Sequence, residues 1–293
     1  MVDRILLYIV RRSWRCYHAL SFVVESSDFR IPIANGMGLA MFDSAPGIAS
    51  LLRTIFTRRR GVFVDIGANI GRVLMELLKI DRSIPYVGFE PLLPAARYVQ
   101  RLIKENGLQN THAIYPMALA DFCGTTVIMS SEDSDVSATI TSAVRPTSMY
   151  SYSMPTCVST GDVQLKEVEA IAAIKIDVEG AEPLVLNGLR ETIYKHRPAI
   201  IIEVMPYSYL EDDSYDRSYF GELPQAEIRR LVTNRKQQME TIGAIMKSFG
   251  YKFFRADEGS LRNAKLSDTT FANQDFLLLP EEDTAELELA SIS

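Results

Sequence analysis

Three apolar runs, each ending in a turn that carries glycine or acid, constrain this chain more than any other feature. They are VDIGANIG (64–71), VGFEP (87–91) and IKIDVEGAE (174–182). The first reads as a buried strand running into a glycine-bounded turn and the start of a helix. The second is a strand ending in an acid, and the third delivers two further carboxylates into a glycine-containing turn. In an open α/β sheet such turns fall along the carboxyl edge, where ligands bind. The pattern suits a nucleoside cofactor with a polar reaction centre beside it.

The rest of the chain is consistent with that frame. Of 293 residues, 47% are hydrophobic and 23% charged, the balance of an ordinary globular protein. A formal charge of −6 argues against nucleic acid as the main partner, because phosphate binding needs a basic surface. Cys16, Cys123 and Cys157 are odd in number and widely spaced. They make neither a disulfide framework nor a zinc site, and a reducing cytoplasm fits them best. The apolar run at 5–10, flanked by Arg4, Arg11, Arg12 and Arg15, is far short of the roughly 20 residues needed to span a membrane. Two readings stay open for it. One is a basic helix resting peripherally on an anionic membrane. The other, the commoner arrangement, is a helix packing its apolar face on the domain.

Along the chain, residues 29–33 read as a short strand and 48–56 as a helix. From Gly61 the pattern alternates. Strands are expected at 62–66, 86–90, 111–117, 172–177 and 199–204, with helices at 72–80, 92–106 and 182–196 between them. Near-continuous apolar strands separated by helices imply a parallel sheet covered on both faces. A long helix at 226–249 stops at Gly250. Strands at 251–255 and 275–279 follow, too close in sequence for a full crossover helix, so an antiparallel pair is expected. Residues 1–60 form an extension, 61–280 the core domain and 281–293 an acidic tail. Two stretches, 130–155 and 207–224, read as insertions near the ligand edge, either surface loops or a substrate lid.

The spacing in the first motif is informative. Gly67 and Gly71 bracket a turn containing Ala68 and Asn69. A dinucleotide fingerprint needs a glycine where Asn69 stands, so an NAD(P)-dependent oxidoreductase becomes the alternative reading. S-adenosylmethionine needs a close backbone approach at Gly67 and an acid for its ammonium group, which Asp65 is placed to supply. Glu90 ends the second strand 23 residues after Gly67. That is about the separation at which an acid accepts hydrogen bonds from ribose hydroxyls. Asp121, after the third strand, is a candidate for the adenine amino group.

Lys175 and Asp177 point to one side of their strand by its period of two. Asp177 and Glu179 then reach the strand end, and Glu203 closes the next strand. Three converging carboxylates repel unless hydrogen-bonded, paired with Lys175 or bound to a metal. His112 and His196 lie away from that edge and read as structural.

Taken together, VDIGANIG, GFEP, IKIDVEGAEPLVLNG and PAIIIE (198–203) resemble the FkbM-type S-adenosylmethionine-dependent methyltransferases. The resemblance covers about residues 29–280 and implies a Rossmann-like class I sheet, mostly parallel, with a C-terminal antiparallel pair. It implies O-methylation of a sugar, glycolipid or secondary-metabolite hydroxyl. It places Asp65, Gly67, Asn69, Gly71 and Glu90 at the cofactor, and Asp177, Glu179 and Glu203 near the acceptor. The chain departs from the family where a Leu-Asp pair is usual, carrying Thr160-Gly161-Asp162 instead. Methyl transfer to a hydroxyl needs an oxygen held about 3 Å from the methyl carbon and a base for its proton. Glu179 or Asp177 is the candidate base, with Glu203 orienting the acceptor. A divalent metal on Asp177 and Glu203 is the other way to acidify a hydroxyl. A cofactor-binding protein without catalysis would lack this acidic cluster, which is present.

Overall fold

The computed structural model describes residues 21–25, 28–34, 37–42, 46–131, 138–211, 222–257, 260–270 and 274–284. The apolar run at 5–10, its flanking arginines and Cys16 lie outside them. The chain opens with a hairpin of β1 (Ser21–Glu25) and β2 (Arg30–Ala34), followed by α1 (Pro46–Arg58). Then come β3 (Val62–Ile66), α2 (Arg72–Ile80), β4 (Tyr86–Phe89), α3 (Leu93–Glu105) and β5 (His112–Tyr115). Three further strands are β6 (Ala118–Leu119), β7 (Gly124–Ser130) and β8 (Tyr152–Ser159). After α4 (Gly161–Gln164) the chain returns through β9 (Ile171–Ile176), α5 (Glu182–Asn187), α6 (Arg190–His196) and β10 (Ala199–Glu203). It ends with α7 (Ser208–Glu211), α8 (Gln225–Ser248), β11 (Tyr251–Asp257), β12 (Ser260–Asn263) and β13 (Asp275–Pro280).

Eight strands form one sheet in the order β12-β11-β13-β10-β9-β3-β4-β5. The five from β10 to β5 are parallel, and β13 runs antiparallel between β10 and β11. This is the mostly parallel sheet with antiparallel C-terminal strands that the sequence implies. The strand period of two divides the core. Phe63, Ala173, Ile201 and Leu277 face α1, α2 and α3, whereas Val64, Ile174, Ile200 and Leu278 face α5, α6 and α8. No described helix is long and apolar enough to cross a membrane.

The structure departs from the sequence reading in four places. The helix expected over 182–196 is two helices that meet at Gly188, where a Cβ would lie 1.9 Å from the carbonyl oxygen of Ala120 and whose own carbonyl accepts from the Asp162 N–H at 2.8 Å. The expected loop between 255 and 275 contains β12, which pairs with β11. The strand expected over 111–117 ends at Tyr115, and the chain turns into a second sheet of order β6-β8-β7. That sheet takes in both ends of the stretch read as an insertion at 130–155. The insertion read at 207–224 holds α7, and its residues 212–221 lie outside the described set.

Asp162, where the chain departs from the family pattern, has a clear structural task. Its carboxylate accepts from the backbone N–H groups of Glu191 (3.1 Å) and Thr192 (2.8 Å), and from the Thr192 hydroxyl (2.7 Å). It therefore caps the first turn of α6 from 30 residues away, satisfying amides that a helix start leaves unpaired. Asp162→Ala is expected to lower stability by about 1–2 kcal/mol, the usual worth of such a cap. Urea unfolding of the two proteins, with an unchanged m-value, measures it.

Candidate active site

Three turns meet at the carboxyl edge, and backbone contacts hold them together. After β3 the chain turns through Gly67 (φ 83), Asn69 (φ 47) and Gly71 (φ 85). A Cβ at Gly67 would lie 1.8 Å from the carbonyl oxygen of Asp177, so the residue must be glycine for β9 to end where it does. Asparagine is among the few side chains that settle in the left-handed region at 69. The N–H groups of Gly67 and Ala68 both donate to the Phe89 carbonyl, at 2.9 and 3.1 Å. Glu90 spans the next gap: its two oxygens accept from the N–H groups of Asn69 and Leu92, each at 2.8 Å. Burial nevertheless pushes its carboxyl up to about 7, against those hydrogen bonds.

The turn after β9 is held by an acid that the sequence did not single out. One oxygen of Glu182 accepts from the N–H groups of Val178 (3.2 Å) and Gly180 (3.1 Å), and its other oxygen from the Gln238 amide on α8. Between them Glu179 adopts φ 56, a left-handed backbone that is rare for glutamate and frequent at functional turns. The turn thereby presents Asp177 and Glu179 beside Glu203, with one oxygen of each within 4.8 Å of the others.

Charge in this cluster is balanced. Buried Lys175 donates to Asp177 at 2.6 Å, and Arg145 directs two N–H groups at a single oxygen of Glu179, its Nε at 2.8 Å. Asp177 and Glu203 are hydrogen-bonded to each other, and the Asp177 charge together with burial drives the Glu203 carboxyl up to about 11. Asp177 itself moves down, held ionised by Lys175 and the Glu203 hydrogen bond against the opposing effect of burial. Lys175 and Arg145 thus offset Asp177 and Glu179, Glu203 shares a proton with Asp177, and Asp275 stands near Lys175 as a further acid. The oxygen spacing would suit a divalent cation, yet such an ion would have to displace that proton and sit between Lys175 and Arg145.

Arg145 arrives on a strap, residues 138–149, that α8 holds by its backbone. Arg230 donates to the carbonyls of Ser142, Ala143 and Arg145 (3.0, 3.3 and 3.0 Å), Asn234 to Ala143 (2.8 Å) and Arg235 to Val144 (2.9 Å). Four consecutive carbonyls of an irregular segment thus find donors on one helix face. Arg235, 1% exposed, also donates from Nη1 to the Pro206 carbonyl and the Tyr209 hydroxyl, so its buried charge has three hydrogen-bond partners. Farther along the strap, the Thr139 hydroxyl donates to the Val178 carbonyl at 3.2 Å.

These parts enclose a cavity of about 60 Å³. Gly67, Asn69, Glu90, Asp177, Glu179, Met117 to Leu119, Ile128 and Thr139 are among the residues that line it. Several sequence candidates are not on its surface. Asp65, expected at an ammonium group, is fully buried, because on β3 it shares the face of Phe63 and not the strand end. Its carboxylate accepts from the Tyr86 hydroxyl at 2.9 Å and is pushed up to about 6 by burial. Lys175 lies directly across from it in the β3–β9 register, below the cavity floor. Gly71 packs against Val99 and Leu102 of α3, Ala68 contributes only backbone, and Asp121 is exposed beyond the cavity end. Arg145 did carry a sequence signal: it is the sole basic residue between 130 and 155.

A family model described as the Methyltransferase FkbM domain matches residues 65–253, well over half of the chain. Among solved structures, the chain is similar to a methyltransferase FkbM from Methylobacillus flagellatus KT, at 15% identity and a TM-score of 0.43. The match covers 75% of this chain and 43% of that protein, so the chain spans less than half of its length. It is also similar to a putative caffeoyl-CoA O-methyltransferase from Staphylococcus aureus, at 12% identity and a TM-score of 0.43, covering 93% of this chain and 91% of that one. No curated protein matches significantly.

Glu182 offers a direct test of the buried network. Burial raises its carboxyl from 4.5 to about 7, so the folded protein keeps a proton that the unfolded chain releases. Its share of stability is whole below about pH 4.5 and is lost as pH rises through about 7. Glu182→Gln mimics the neutral acid, and the Gln238 amide, whose oxygen has no partner, can turn to accept from it. Chemical unfolding should find the variant close to wild type near pH 5 and more stable near pH 8 by about 1–3 kcal/mol. Equal destabilisation at both pH values would contradict the buried proton.

Proposed function

Because the chain belongs to the FkbM family of S-adenosylmethionine-dependent methyltransferases, we propose that it methylates a hydroxyl oxygen of a sugar, glycolipid or secondary-metabolite acceptor at the end of the cavity marked by Asp177 and Glu179. The methyltransferase unit in this reading spans residues 61–280. One observation carries the proposal. A wall of Gly67, Asn69 and Glu90, of the kind that receives a nucleoside, runs directly into a pair of carboxylates. When bound, S-adenosylmethionine supplies a methyl group already activated by its sulfonium. The chain then has to orient the nucleoside, bring the acceptor oxygen in line and take one proton.

Glu90 orients. Each of its oxygens spends one lone pair on a backbone N–H and keeps another for the ribose hydroxyls. Asp177 is the base. Its side chain is 31% exposed against 10% for Glu179, whose oxygen already takes two bonds from Arg145. As the new carbon–oxygen bond forms and the carbon–sulfur bond breaks, the acceptor proton passes to Asp177. Lys175 and the Asp177–Glu203 hydrogen bond hold that carboxylate in place. Glu179, fixed by Arg145, accepts from a neighbouring hydroxyl and sets the acceptor's angle. The base is needed only as the oxygen begins to lose its proton, so a carboxylate held below its usual range still serves. A cavity of about 60 Å³ is much smaller than the roughly 300 Å³ or more of ordinary ligand pockets, so Ile128 and the strap at Thr139 have to shift to admit the nucleoside.

Calorimetry with S-adenosylmethionine tests the cofactor half. Wild type should bind, and Glu90→Ala should lose about tenfold or more in affinity, the worth of a charged hydrogen bond. Because Glu90 ionises near 7, wild-type binding should tighten as pH rises from about 6 to about 8. No binding to the folded protein would refute the proposal. For the transfer half, labelled methyl incorporation into a panel of sugar and lipid hydroxyls identifies an acceptor. With that acceptor, Asp177→Asn should lower turnover about 10²–10⁴-fold with cofactor affinity nearly unchanged. Normal turnover by Asp177→Asn removes it as the base.

A further inference from the structure

The second sheet has an open edge and a face without charge. In the order β6-β8-β7, strand β7 is outermost, and its far side is covered at one point, where Met129 and Thr139 exchange backbone hydrogen bonds of 2.8 and 3.0 Å. By the alternation of an antiparallel ladder, the N–H and C=O groups of Thr125 and Val127 point the same way as those of Met129. No described residue pairs with them. On the outer face Thr125, Val127 and Met129 stand across from Cys157, Pro155 and Ser153. Val127 is 49% exposed, and Phe122 and Tyr152 are 41% exposed. Neither 122–131 nor 150–160 contains a charged residue, in a chain that is 23% charged. Proteins usually blunt an open edge with lysine, proline or a bulge. Here the open stretch 124–128 carries none of these.

We propose that β7 is a dimer edge, pairing antiparallel with β7 of a second copy of this chain across a two-fold axis at Thr126. A strand laid antiparallel against itself is self-complementary, because every open donor meets the matching acceptor. With Thr125 opposite the partner's Val127, and the reverse, four backbone hydrogen bonds form and the strand stops where Thr139 begins. Charge favours this face for self-association. Each copy carries −6, so two copies repel wherever acids meet and can approach most closely along a charge-free ribbon. The inner side of the same ribbon supplies Ile128 to the lining of the cavity. A second copy on this edge would therefore lie one strand from the cavity, whatever acceptor the site takes.

Sedimentation velocity over a concentration series should show a reversible dimer. Val127→Lys should raise its dissociation constant by about tenfold or more, a change of about 1.4 kcal/mol, with unchanged circular dichroism. A register-specific test uses a chain with Cys16, Cys123 and Cys157 replaced by serine. Thr126 would face the partner's Thr126 in a non-hydrogen-bonded pair with Cα atoms about 4.5 Å apart, within disulfide reach. Thr126→Cys should therefore cross-link on mild oxidation. Thr125→Cys, offset from its own copy, should not. A wild type that stays monomeric at every concentration overturns the proposal. So does a dimer indifferent to Val127→Lys, or cross-linking equal at 125 and 126. A monomer would leave the uncharged face to an extended peptide or a lipid surface.

Discussion

The carbonyl oxygen of Asp177 occupies the place where a side chain at residue 67 would begin. Much of the site follows from that contact. The Asp177 N–H donates to the Ile66 carbonyl at 3.0 Å, so the ends of β3 and β9 are joined on both sides of the close approach. The Phe89 carbonyl then ties in the end of β4, and Glu90 bridges from there to Asn69. The three turns are one hydrogen-bonded unit. Relative positions of Glu90, Asp177 and Glu179 are consequently set by backbone and change little with side-chain rotation, which is what methyl transfer over a short, directional path demands.

Such a unit concentrates acids, and the structure answers with two different kinds of relief. Around Asp177 and Glu179, Lys175 and Arg145 supply cations, and the Asp177 charge and burial push the Glu203 carboxyl up. Beneath them, Asp65, Glu90, Glu182 and Asp275 are all pushed above their usual range by burial. Several carboxyl groups around the cavity therefore stand close to neutral pH, where small changes in surroundings alter their charge. A nucleoside carrying a sulfonium would enter a neighbourhood able to become more negative on its arrival.

Local periodicity made the central sheet legible. The bounds of β3 and α2 follow from an apolar run and a glycine-started helix, and Gly107 and Gly250 end their helices in the left-handed region as expected. What the sequence could not show was which way a strand residue turns relative to the edge. Asp65 has the right spacing for a cofactor acid, yet the strand period puts it on the sheet face beside Tyr86. Gly188 sits against Ala120, nearly 70 residues earlier, and no local pattern records that contact. The strands β7 and β8 are rich in serine and threonine and half exposed, so they resemble loop in composition. Arg145 and Glu182 matter through partners far along the chain, Glu179 and Gln238 among them. Only assembled coordinates reveal such pairings.

The grip of α8 on the strap has a consequence for motion. Released in place, the four carbonyls at 142–145 would have to find water, and Arg235 would lose the partner of its buried Nε. The strap over 142–145 cannot therefore loosen by itself; its opening is linked to the fraying of a 24-residue helix whose other face belongs to the main core. Thr139, by contrast, is tethered by one side-chain hydrogen bond and one short bridge. Amide exchange along this single loop should then be divided, slower where the helix holds it than at the short bridge of Thr139. One continuous segment would serve as a fixed jaw for the acceptor and a moving one for the cofactor.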